Sequence, residues 1–150
     1  MPTDPKYLRD FTCFRELSDA QVAAIAEITT AVCYPPGYVL FEEGKPGEHL
    51  YFLLKGNVEV LYNIGEEGQV HVDNVAGEEI VGCSALIAPH SYSATEKSLT
   101  EVEVLVIEAN SLRELMENDH DLGYALQGQI IKVLMDRILD LRLRAPLSSR

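Results

Sequence analysis

Positive charge is what this 150-residue chain has least of: 12 Lys and Arg stand against 24 Asp and Glu, a formal net charge of −12. A surface that acidic repels phosphate backbones. Nucleic-acid binding rests on Lys and Arg neutralising phosphates, so no direct nucleic-acid binding is expected. The basic residues that gather in the last fifteen positions (Arg137, Arg142, Arg144, Arg150) read as a solvated helix end. Cysteine is scarce as well. Cys13, Cys33 and Cys83 are odd in number, far apart and without a C-x-x-C spacing. That pattern argues against a disulfide framework, a zinc site or an iron–sulfur cluster, and for buried free thiols. No apolar run is long enough to cross a bilayer, and no basic-then-apolar leader opens the chain. A cytoplasmic protein without membrane association is the expectation.

What is present reads as one globular domain over residues 1–150, with 47% apolar and 24% charged residues. Residues 1–33 form an N-terminal helical segment. An apolar turn, YLRDFTCF, precedes LSDAQVAAIAEIT, where Ser18 as N-cap and Gln21 three positions on predict a capping box. Val22, Ile25 and Ile28 then recur at helical spacing. Residues 34–108 change character. The runs YVLF, HLYFLL, NVEVLY, QVHVDNV, EEIV and EVEVLVI are strand-like, and Gly37, Gly44, Gly47, Gly56, Gly65, Gly68 and Gly77 punctuate them. Many short strands without long helices between them predict a mainly β fold with flanking helices, a jelly roll (double-stranded β-helix). Residues 109–145 are helical again: EANSLRELMEN, capped by Asn110 or Ser111 with Glu114 in a capping box, then one long helix from Asp119 to about Leu143. Residues 146–150 are assigned to a tail, of which LSSR is expected to be disordered. In the long helix Ile131, Leu134, Ile138 and Leu141 follow a 3-4-3 spacing, the seam of a coiled coil and a homodimer interface. Leu126, Ile130 and Val133 form a second stripe; one stripe could face the domain and the other a partner, or both could serve a single intramolecular face.

Halfway along lies VGCSALIAPHSYSATEKS, Val81 to Ser98: a glycine, small residues, a short apolar helix and a hydroxyl-rich return strand. It holds no arginine, and its one lysine, Lys97, comes near the end. The order of elements resembles the cyclic-nucleotide-binding domain of Crp/Fnr regulators and kinase regulatory subunits. FEEGKPGEHLYFLLKGNVEVLY is similar to the opening hairpins of that family, with Gly44 and Gly56 at its turn glycines. AGEEIVGCSAL resembles the start of its phosphate-binding cassette, with Gly77 and Gly82 at the glycine positions, and TEVEVLVIEANSLRELMENDHDL resembles the strand and helix that close the domain. The resemblance implies a glutamate after the cassette glycine for the ribose hydroxyl, and an Arg-Ser/Thr-Ala triplet for the cyclic phosphate. Cys83 stands at the first position and Tyr92, of Tyr92-Ser93-Ala94, at the second. An arginine–phosphate contact contributes about 1.5–3 kcal/mol, so its loss alone weakens binding roughly 10- to 150-fold. Lys97 is the nearest cation in sequence. The pattern G-C-S-A-L … Y-S-A-T is also similar to a bacterial subgroup with G-W-S-A-L and tyrosine in place of arginine, often short proteins without an output domain.

The resemblance thus implies a regulatory, signal-transducing domain that does not bind cAMP in the usual way and signals through its C-terminal helix to a partner protein. Its ligand-binding candidates are Gly82, Cys83, Ser84, Ala85, Tyr92, Ser93 and Ala94. Gly82 allows close backbone approach, the following turn offers N–H groups to an anion, and Ser84, Tyr92 and Ser93 donate hydrogen bonds. The opposing possibility is that Cys83 and Tyr92 simply fill a former pocket. No cofactor is expected beyond a small-molecule or nucleotide effector. The alternatives are a genuine cyclic-nucleotide receptor or a fragment of a Crp/Fnr-type transcription regulator, whose winged helix-turn-helix would begin near RAPLSSR. From another class comes a cupin-like metalloenzyme, but His49, His71, His90 and His120 form no H-x-H pair, and His71 with Asp73 lacks a third ligand. Cys83 near His90 invites a haem site without further signature, and no nucleophile elbow supports a hydrolase. No catalysis is expected.

Overall fold

Ser18 opens the first long helix as its spacing predicts. Its Oγ accepts from the Gln21 N–H at 3.1 Å, and the Gln21 side chain returns to the Ser18 N–H at 3.0 Å. The computed structural model describes residues 3–76 and 79–148, so Gly77 and Arg150 of the sequence reading lie outside the described residues. Before this helix come α1 (Pro5–Leu8) and a 3-10 turn (Thr12–Phe14); the helix itself is α2 (Asp19–Glu27), with Val22 and Ile25 buried.

Eight strands follow: β1 (Thr29–Tyr34), β2 (Val39–Phe41), β3 (His49–Lys55), β4 (Asn57–Asn63), β5 (Gln69–Ala76), β6 (Glu79–Val81), β7 (Thr95–Ser98) and β8 (Val102–Glu108). They form two four-stranded antiparallel sheets, ordered β1-β8-β3-β6 and β2-β7-β4-β5. This is the expected jelly roll with flanking helices. One boundary differs from the sequence reading. The first strand begins at Thr29, inside the segment read as helical, because the β-branched TTAVCY follows α2 after the single C-cap residue Ile28, with no Gly, Pro or Asn to mark the junction. The first sheet is pinned there by full pairing of β1 with β8, Thr29 opposite Ile107 through Tyr34 opposite Val102. The hydroxyl-rich return strand of the midchain loop is β7.

Gly44 and Gly56 turn their hairpins in left-handed backbone (φ +82° and +99°), which only glycine adopts without strain. On the helix-covered face of the first sheet, Phe11 and Phe14 of the N-terminal segment close on Phe52 of β3, with ring centroids 5.0 and 4.9 Å away, while Tyr51 beside it faces Phe41 of the other sheet. Edge-to-face and tilted contacts of this kind add to the burial of three large rings.

Two helices close the chain, α3 (Ala109–Asn118) and α4 (His120–Ser148). The cap of α3 is Glu108, not Asn110 or Ser111; Ser111 lies in the first turn, where its hydroxyl donates to the Glu108 carboxylate at 2.9 Å. Helix α4 continues past Leu143 to Ser148, through three residues assigned to the tail. Its two apolar stripes separate. Leu122, Leu126 and Ile130 are in the core with Val133 packed against it, while Ile131, Met135 and Ile138 are exposed. Among the described residues no helix is long and apolar enough to cross a membrane.

Candidate functional site

The midchain loop starts at Gly82, where the chain leaves β6 in left-handed backbone, φ +81°. A Cβ there would stand 3.2 Å from the Phe41 ring and 3.3 Å from the Tyr92 ring, so any other residue would crowd both rings besides straining the backbone. Cys83–Leu86 then form a single 3-10 turn, too short for a helix dipole to gather an anion. Arg113 of α3 donates to the Ala85 carbonyl and fixes the turn against the helix.

Tyr92 answers the question its position raises. Its hydroxyl donates to the His49 carbonyl at 2.7 Å and accepts from the His49 N–H at 3.0 Å, while its ring stacks on Phe41 with centroids 4.0 Å apart. It is buried, and burial raises its pKa, opposed by these hydrogen bonds. Tyr92 is a structural tie between the loop and β3, with neither a free hydroxyl nor a free ring face toward the cleft beside it.

That cleft holds about 380 Å³, within the range of small-molecule sites. Gly82, Cys83 and Ser84 form its floor, Ser93 and Ala94 one side, and α4 the opposite wall through Leu134, Arg137, Asp140, Leu141 and Arg144. Five of the seven ligand-binding candidates therefore meet at one cleft. Ala85 and Tyr92 do not line it, being buried behind. The expected coiled-coil seam divides in the same way: Leu134 and Leu141 border the cleft, whereas Ile131 and Ile138 do not. Lys97, the sequence's nearest cation, is excluded by strand alternation. It borders a different cleft with Thr95, on the face of β7 opposite Glu96.

None of the charged residues that line the cleft was read as part of it from the sequence; Asp73 was weighed only as a metal ligand beside His71. Arg137, read as part of a solvated helix end, reaches back to the barrel. Its Nη2 donates to Glu79 at 2.8 Å and to the Ile80 carbonyl at 2.6 Å, leaving Nε buried without a partner. Arg144 pairs with Asp140 on the same helix at 3.1 Å. Glu96 of β7 is only 9% exposed, and its Oε1 is buried with no hydrogen-bond partner. Burial raises its carboxyl to about 7; Arg137 opposes this, and Glu79 and Asp73 add to it. The Cys83 thiol is likewise pushed up by burial, so it stays protonated and offers no strong acceptor where the resemblance implies a glutamate.

Of the thiols, Cys13 is buried, with its pKa pushed up to about 12, and Cys83 is half-buried. Cys33 is exposed, contrary to the expectation of three buried thiols, because β1 turns it outward. Among the described residues no group of three or more His, Cys, Asp or Glu side chains is placed to hold a metal ion.

The sequence profile of the cyclic nucleotide-binding domain matches residues 31–119, more than half of the chain. The chain belongs to the cyclic nucleotide-binding domain family. A structure from Geobacter metallireducens, of a protein named for cyclic nucleotide binding, is similar with a TM-score of 0.82 and 32% identity over 91% of this chain and 98% of that one. A cyclic nucleotide-binding domain from Methylobacillus flagellatus has a TM-score of 0.83 at 21% identity, over 99% of this chain and 87% of its own, a likeness of fold alone. The CRP-like cAMP-activated global transcriptional regulator of Mycobacterium tuberculosis is 22% identical over 83% of this chain and 54% of its own length. The chain spans about half the length of that curated relative. The family match covers the strands that build the cleft.

Proposed function

We propose that this chain is a regulatory, effector-sensing member of the family whose cleft does not take a cyclic nucleotide in the usual way. It signals through α4 to a partner and is not an enzyme. The observation that carries this reading is the fate of the two recognition positions. Cys83 offers a protonated thiol in place of a carboxylate, and Tyr92 is tied to His49 and stacked on Phe41, leaving no arginine at the loop. The two arginines near the cleft are both already paired with acids. A cyclic phosphate at either guanidinium would therefore compete with the carboxylate of Glu79 or Asp140.

The output belongs to α4 because that helix forms a wall of the cleft and carries an unpartnered apolar face. Tyr124, Ile131, Met135 and Ile138, 48–84% exposed, follow one another along one side at helical spacing. Two copies of this stripe pair as identical helices with a shared seam, so the partner is first of all a second copy of the chain. Leu134 and Leu141 of the expected seam stay with the cleft, and the revised seam runs through Met135. Sedimentation equilibrium tests the assembly. A dimer at tens of micromolar that becomes monomeric in the Ile131→Glu, Ile138→Glu double variant supports the reading; a wild-type monomer at high micromolar concentration refutes it.

A second reading is kept by the M. tuberculosis relative, described as a cAMP-activated regulator. By analogy this chain would be the sensing half of a transcription regulator, with the same cleft and the same helix.

A further inference from the structure

The cleft contains more acid than its own cations can use. Arg137 is paired with Glu79, and Arg144 with Asp140. Asp73 and Glu96 remain. Asp73 lies half-buried on β5 and accepts from the Asn74 N–H at 2.8 Å. Glu96 is different: a carboxylate side chain only 9% exposed, lining the cleft, with one oxygen that bonds to nothing. An orphaned buried acceptor is costly in any fold and is retained where something else satisfies it. Across from it, on α4, the Arg137 Nε is a buried donor without an acceptor. Two unmet groups of opposite kind thus belong to one cleft, on two elements whose relative position the proposed signalling reading needs to control.

Resting on that reading, we propose that the cleft's effector is a small organic cation, an amine, amidine or guanidine, whose N–H groups are accepted by Glu96. A second, acceptor atom on the same molecule would meet Arg137 and tie α4 to the barrel. The walls fit such a molecule. Phe41, Val60, Val81 and Leu134 supply apolar contact around the charged end. Below neutral pH the protonated Glu96 carboxyl would no longer attract a cation, because burial holds its titration near 7. The other groups facing it do not reverse this sign. Asp73 and Glu79 add negative charge, and Arg137 is held by Glu79. Asp140 and Arg144 face each other. The Cys83 thiol is neutral, and Tyr62 contributes a phenol at the rim.

The test is an NMR titration of ¹⁵N-labelled protein at about pH 8 with benzamidine and, separately, cadaverine, each to about 20 mM. The expected result is saturable shifts confined to residues 82–84, 93–96 and 134–141. Affinity should fall at least about tenfold in Glu96→Gln, the size of one charge-assisted hydrogen bond. It should persist in Glu96→Asp and be unchanged in Lys97→Gln, on the opposite face of β7. It should also weaken when the wild type is titrated at about pH 6. The spectrum itself reports whether each variant is folded. Failure of both probes to saturate, shifts located elsewhere, or equal affinity in Glu96→Gln would overturn the proposal and leave the regulatory reading standing. Cyclic AMP moving the same resonances at micromolar concentration would overturn the reading on which it rests.

Discussion

Replacing Glu96 by Gln removes a charge from the barrel interior and keeps the shape of the side chain. Glu96 titrates near 7 in the folded protein against an ordinary value of 4.5, chiefly because burial disfavours the carboxylate. The folded state therefore holds this proton where the unfolded state has lost it, and stability falls as pH rises from about 4.5 to about 7. The loss is about 2.5 pKa units at 1.36 kcal/mol each, on the order of 3 kcal/mol, fully present above about pH 7. Gln carries no such penalty. The variant should gain about 1 kcal/mol over wild type at about pH 5.5 and about 3 kcal/mol at about pH 8. Any offset from how the new amide is paired enters both readings equally and cancels from the difference. Urea unfolding of both proteins at the two pH values measures this directly, with unchanged slopes confirming that the same surface is exposed. A gain that does not grow by about 2 kcal/mol between about pH 5.5 and about pH 8 would show that Glu96 is not the buried, unmet acid described above.

Tyr92→Phe removes the hydroxyl that both donates to and accepts from His49. It should cost about 1–3 kcal/mol in chemical denaturation while leaving probe binding in the cleft unaltered; weaker probe binding at unchanged stability would return Tyr92 to the site. Gly56→Ala places a methyl against the Glu101 carbonyl and 2.8 Å from Val102 Cγ1, in backbone at φ +99°. A loss above about 2 kcal/mol is expected, and a change within about 0.5 kcal/mol would contradict this hairpin geometry.

Much of the fold was legible because local signals and long-range packing agree. Ser18 and Gln21 mark a helix start that needs no tertiary context, and Gly44 and Gly56 mark turns whose backbone only glycine takes without strain. β1 was hidden because its junction with α2 is the single residue Ile28, without Gly, Pro or Asn, and lets TTAVCY read as the end of a helix. The site was legible only in part. The loop and its two altered positions stand out against the family pattern, but a tyrosine at the arginine position says nothing about whether its ring turns inward or outward. Its bond to His49, 43 residues earlier, decides that. Arg137 looked like a solvated helix end because its partners Glu79 and Ile80 lie more than fifty residues away. Glu96, in a polar TEKS strand, gave no sign of burial. Which face of a four-residue strand points inward is set by the register of β7 against β2 and β4.

The central claim is that the cleft has lost its affinity for cyclic phosphates, because its recognition positions are structural and its cations are already paired. Calorimetric titration of the protein with cyclic AMP and cyclic GMP measures it most directly. No saturable binding below about 1 mM is predicted for either nucleotide. A dissociation constant in the micromolar range for either one would contradict the account.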